Sequence, residues 1–73
     1  MAKLPVVSGR EARRAFEKLG WTFSRQRGSH MILSKPSIAT NLTIPDHKEL
    51  DRGLLRGLIR DANISVETFL AQL

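Results

Sequence analysis

The succession of segments along this chain predicts an α+β fold. Three observations lead to it: a capped amphipathic helix near the N-terminus, three short strand-like runs through the middle, and a second amphipathic helix followed by a helical turn. At 73 residues the chain is expected to form one domain, residues 1–73, with no room for a second core. It has no cysteine, so neither a disulfide framework nor a thiolate zinc site supplements that core.

Taken in order, Lys3-Leu4-Pro5-Val6-Val7 reads as an extended lead-in, because Pro5 disfavours a helix before it. Ser8-Gly9-Arg10-Glu11 fits the capping box S-x-x-E, in which Ser8 and Glu11 satisfy each other's backbone amides. Ala12, Ala15, Phe16 and Leu19 then fall at i, i+3, i+4 and i+7, so a helix is expected over about residues 9–19 with Gly20 as its stop. Arg10, Arg14 and Lys18 form a basic row on that helix, with Arg13 beside it, away from the apolar stripe.

Trp21-Thr22-Phe23-Ser24 alternates apolar and polar and reads as a strand with Trp21 and Phe23 facing the core. Met31-Ile32-Leu33-Ser34 reads as a second strand, and Gly28 between the two supplies the positive φ that a hairpin turn needs. If Arg27-Gly28 form the turn, Gln26 opposes Ser29 and Arg25 opposes His30. Residues 34–41 carry Pro36 and several turn formers and read as a loop, leading to a short third strand, Leu42-Thr43-Ile44, ended by Pro45. After the polar connection 45–50, Asp51 caps a second helix with an apolar stripe of Leu54, Leu55, Leu58 and Ile59. Asn63 ends that helix, and Ser65 caps a last short one with Val66, Phe69, Leu70 and Leu73 apolar. The expected architecture is therefore α-β-β-β-α plus a short C-terminal helix: a three-stranded antiparallel sheet covered on one face by two helices. That layout is that of a double-stranded-RNA-binding domain.

Charge narrows the function classes. The net charge is +5, but residues 1–36 hold eight Lys or Arg against two Glu, while residues 37–73 hold four against five acidic residues. The basic excess thus belongs to the half with the first helix and the hairpin, and it points to a polyanionic partner. Arginine outnumbers lysine eight to four, which suits phosphate, since its planar fork donates bidentately. No apolar run approaches the ~20 residues of a membrane span. Pro5 interrupts any signal-peptide core, so a cytoplasmic protein is expected.

The chemistry concentrates in Arg25-Gln26-Arg27-Gly28-Ser29-His30. An imidazole exchanges protons near neutral pH, and arginines beside it would hold phosphate. A proton-transfer group next to phosphate clamps is what RNA cleavage requires. Ser29 is not read as a nucleophile, because no carboxylate is placed to complete a triad. Asp46, Glu49 and Asp51 sit on one connection and are explained locally, so no metal site and no cofactor are expected.

The chain closely resembles the HicA-type toxins, small mRNA interferases of toxin–antitoxin pairs. The resemblance rests on Leu4-Pro5 with Ser8-Gly9, Leu19-Gly20-Trp21, and Arg25 to His30. It continues in Pro45-Asp46-His47-Lys48-Glu49-Leu50, Gly53-Leu54-Leu55-Arg56 and Ile64-Ser65-Val66-Glu67, with Leu54 standing where the family usually has threonine. It implies a dsRBD-like fold and a catalytic histidine at His30, in the Gly-Ser-His segment. It also implies mRNA as substrate and a HicB-type antitoxin as partner, the free toxin being monomeric and the pair hetero-oligomeric. On this reading His30 is the general acid/base of a metal-independent endoribonuclease. Arg25, Arg27, Gly28, Ser29, Lys35 and Lys48 contact RNA, and His47 is either a secondary site residue or a side chain tying the loop before the second helix. The alternative is a non-catalytic double-stranded-RNA-binding module that would use the helix-one basic row.

Overall fold

Ser8 begins the first helix as the sequence pattern requires. Its hydroxyl accepts from the Glu11 amide at 3.0 Å, and the Glu11 carboxylate accepts from the Ser8 amide at 2.8 Å. The Ser8 amide first, and then the Ser8 hydroxyl, hold the Glu11 carboxyl below its ordinary range. The computed structural model describes residues 3–73. In it the first helix, α1, spans Gly9–Lys18. It ends in a Schellman motif: Gly20 takes φ +98°, its amide donates to Glu17, and the Trp21 amide donates to Phe16.

Three antiparallel strands follow, β1 (Thr22–Arg27), β2 (His30–Lys35) and β3 (Ile38–Pro45), in the sheet order β1-β2-β3. A second helix, α2 (Arg52–Asp61), is capped by Asp51 and closed by Asn63 at φ +60°. Asn63 and Ile64 donate to Arg60 and Ile59, a second Schellman closure. The last helix, α3 (Val66–Leu70), is capped by Ser65. The layout is the expected α-β-β-β-α with a short C-terminal helix.

One face of the sheet carries Met31, Leu33, Leu42 and Ile44, all buried against the helices. Ala12, Ala15 and Phe16 come down from α1, and Leu55, Leu58 and Ile59 from α2. Phe69 of α3 stacks on Phe16 with ring centroids 5.1 Å apart. Trp21 and Phe23 join this core as their alternation requires, although Trp21 lies just before β1. Two apolar expectations fail at element ends. Leu54 and Leu73 are exposed, and Leu50, from the connection, fills core space instead.

The third strand is longer than its sequence suggests, eight residues in place of Leu42-Thr43-Ile44. The segment read as a loop is a two-residue turn, Pro36-Ser37, after which Ile38 already pairs with Lys35. Pro36 pre-sets the turn's φ, and the β-branched Ile38 and Thr40 continue as strand even though Ala39, Thr40 and Asn41 are exposed.

The start of α1 and the segment after β3 meet at a tight junction. The Gly9 amide donates to the His47 carbonyl at 2.8 Å, and the Leu50 amide to Val7 at 2.8 Å. A Cβ on Gly9 would overlap the Pro45 carbonyl oxygen, with which the glycine is in direct backbone contact. The Gly9→Ala variant should therefore lose about 3 kcal/mol of stability, the upper end for overpacking, as read by denaturant unfolding. A variant as stable as the wild type would mean the junction is loose.

Candidate nucleic-acid interface

The hairpin that carries His30 is built differently from its simplest sequence reading. The turn is Gly28-Ser29, not Arg27-Gly28, and the register is Arg27↔His30, Gln26↔Met31 and Arg25↔Ile32. Gly28 sits at φ +59°, the positive φ that a type II′ turn demands of its first central residue. Placing glycine first rather than second moves the pairing by one residue on each side. His30 therefore faces Arg27 across the ladder, and the expected pairing of Arg25 with His30 is replaced.

A β-bulge decides which face these side chains share. The register shifts between Phe23 and Arg25, leaving Ser24 as the extra residue. Phe23 pairs with Leu33 on the helix-covered face. Without the bulge, Arg25 and Arg27 would follow Phe23 onto that face. With it, Arg25 and Arg27 lie on the uncovered face together with His30 and Ile32, and Gln26 turns toward the helices beside Met31. Arg25, Arg27 and His30 are all exposed. Cross-strand partners have Cβ atoms about 4.5–5.5 Å apart, so the Arg27 guanidinium has the reach to share a phosphate with the His30 ring.

The other flank of His30 is Pro45, its partner on β3. The next residue, Asp46, works in two directions. Its amide donates to the Ser29 carbonyl at 2.6 Å, fixing the peptide that precedes His30. Its carboxylate takes the Arg10 guanidinium at 3.2 and 3.4 Å, a forked pair that raises the Arg10 pKa through the hydrogen bond and then the charge of Asp46. Backbone and side chain of one residue thus tie the hairpin end to α1.

The remaining candidates divide. Gly28 and Ser29 form the turn itself and are exposed, with open space around Gly28. Lys48 is exposed, three residues past Pro45. Lys35 lies at the opposite end of β2, where its ammonium donates to the Leu19 carbonyl at 3.1 Å and so caps the end of α1. The loop before α2 is tied at His47, but through its carbonyl. The His47 ring is exposed and has no hydrogen-bond partner among the described residues. Residues from the helix-one basic row also border this end. Arg13 stacks on Phe23 with its guanidinium carbon 3.9 Å from the ring centroid and pairs with Glu17 at 3.4 Å. Among the described residues no group of three His, Asp or Glu side chains is arranged to hold a metal ion, and no helix is long and apolar enough to cross a membrane.

A family model described as the HicA toxin of bacterial toxin–antitoxin pairs matches residues 9–64. No curated protein matches the chain. The matched span runs from the start of α1 through the hairpin, β3 and α2 to Ile64.

Because the tie at His47 uses the backbone, His47→Ala should change stability by no more than roughly 0.5 kcal/mol, measured by thermal melting. A loss well above that would assign the ring a structural partner.

Proposed function

The chain belongs to the HicA family of toxins from toxin–antitoxin pairs, and from that premise we propose that it is a metal-independent endoribonuclease that cleaves mRNA with His30 as general base. The observation that supports this most is the exposed Arg27–His30 pair on the uncovered face of the sheet, with the preceding peptide held by Asp46.

The reaction follows from those groups. The neutral His30 imidazole takes the proton of a ribose 2′-hydroxyl, and the oxygen attacks the adjacent phosphorus. The bond from phosphorus to the 5′-oxygen of the next nucleoside breaks, that oxygen takes a proton from water, and the hydroxide left behind takes the proton that His30 holds. A 2′,3′-cyclic phosphate and a 5′-hydroxyl remain, and no group is oxidised or reduced. Arg27, with Arg25 further along the strand, stabilises the charge that grows on the non-bridging oxygens. Lys48 and the open backbone at Gly28-Ser29 approach the RNA from the hairpin end. One base acting with arginine supplies about 10²–10⁴-fold from proton transfer, and the rest comes from positioning. The exposed His47 ring, at the same end of the sheet, is a secondary RNA contact.

Membership of the family implies an antitoxin partner. A HicB-type protein that covers the basic, uncovered face would silence the toxin by excluding RNA from His30.

The test is the fate of a defined single-stranded RNA in excess EDTA. Cleavage should persist, leave a 2′,3′-cyclic phosphate and a 5′-hydroxyl, and stop when the ribose at the cut carries no 2′-hydroxyl. Cleavage that disappears on chelation and returns with magnesium, or that leaves 5′-phosphate ends, would overturn the mechanism. Binding without any cleavage would leave an RNA-binding module.

A further inference from the structure

A cleft of about 380 Å³ lies on the helix side of the hairpin, bordered by Arg10, Arg13, Arg14 and Glu17 of α1, by Gln26 and Met31 of the sheet, and by Asp46. We propose that this cleft holds a backbone phosphate of the RNA a few nucleotides away from the scissile bond, so that the strand wraps the hairpin end from the uncovered face to α1. The inference rests on the endoribonuclease reading and extends it to a second RNA subsite.

Position is the first argument. Gln26 and Met31 are cross-strand partners on the face opposite Arg27 and His30, so the cleft is separated from the His30 face by the thickness of one sheet. Asp46 belongs to both places: its carboxylate lines the cleft, and its amide holds the carbonyl of Ser29, the residue before His30. A strand lying over His30 reaches the cleft by passing around the exposed Gly28-Ser29 turn, which has open space beside Gly28.

The chemistry of the wall is the second. Its one apolar side chain is Met31, which offers no aliphatic or aromatic anchor socket of the kind protein partners use. Arg13 is already ordered by its stack on Phe23 and its pair with Glu17, so little entropy is lost when it takes a phosphate. Arg10 is held by Asp46 through an exposed pair, its side chain 77% accessible, which a phosphate oxygen joins at small cost. Arg14 is exposed and has no carboxylate at ion-pair distance among the described residues, Glu11 acting on it only through charge, so its guanidinium is free to take a phosphate in the cleft. Three guanidiniums against two carboxylates, Glu17 and Asp46, each already paired with an arginine, leave the polar wall net positive, which suits a phosphodiester.

Arg14→Gln tests this without disturbing the Arg10–Asp46 clamp. Two RNAs are compared, a trinucleotide spanning the cut and a strand of a dozen nucleotides, each also made with a 2′-deoxyribose at the cut for binding measurements. The variant should melt with the wild type and cleave the trinucleotide equally well. It should bind the longer RNA roughly fivefold more weakly, the upper end for one exposed charge contact, and its salt slope should fall by about 0.7. Equal binding of the longer RNA with an unchanged slope would overturn the subsite and leave the nuclease reading standing. So would a loss confined to antitoxin binding, which would give the cleft to the protein partner. A wild-type chain that binds neither RNA would overturn both readings together.

Discussion

The contact on which the arrangement depends is the meeting of two backbones, at Gly9 and at Pro45-Asp46-His47. There is no space for a side chain between Gly9 and the Pro45 carbonyl, and the Gly9 amide closes the gap by donating to His47. This brings the start of α1 onto the end of β3, about the closest approach two chain segments can make. Once the two are in register, Arg10 lies within reach of Asp46 and the Asp46 amide within reach of Ser29. A hairpin end is ordinarily among the more mobile parts of a sheet. Here it is braced from behind by a helix, through a residue that is neither catalytic nor basic.

That brace explains how a domain of this size can hold an exposed histidine in place at a hairpin end. The proposed mechanism, with one imidazole as its base, depends on such positioning. The backbone of His30 is held on one side by Arg27 and on the other by Pro45, and the preceding peptide is tied to Asp46. The ring remains exposed. The sheet then divides its labour. Its covered face, with Met31, Leu33, Leu42 and Ile44, supplies the core. Its uncovered face carries the charged and titratable side chains, at no cost in buried charge.

Local signals in the sequence were legible wherever a short-range bond produced them. The Ser8–Glu11 box, the Gly20 stop, the Asp51 and Ser65 caps and the stripe of α1 each involve residues within four or five positions, and each stands as read. The hairpin was harder, because a glycine serves either position of a two-residue turn and the neighbours, Arg27 and Ser29, do not discriminate. The bulge at Ser24 left no signal, since an alternating pattern shows its phase but not a residue inserted into it. Lys35 looked like one more phosphate ligand because its partner, the Leu19 carbonyl, is sixteen residues away. The need for glycine at position 9 is equally invisible, as it is imposed by Pro45. The candidate residues could thus be read from the sequence but the faces they occupy could not, because faces depend on register.

In the proposed reaction His30 performs chemistry on a strand held by its arginine neighbours, and the His30→Ala variant isolates that role. The ring is exposed, so the variant should fold and melt like the wild type, and bind uncleavable RNA with wild-type affinity. Its single-turnover cleavage rate in EDTA should fall at least ~10²-fold, the lower end for removal of a general base. Wild-type cleavage by a folded His30→Ala protein would contradict the account.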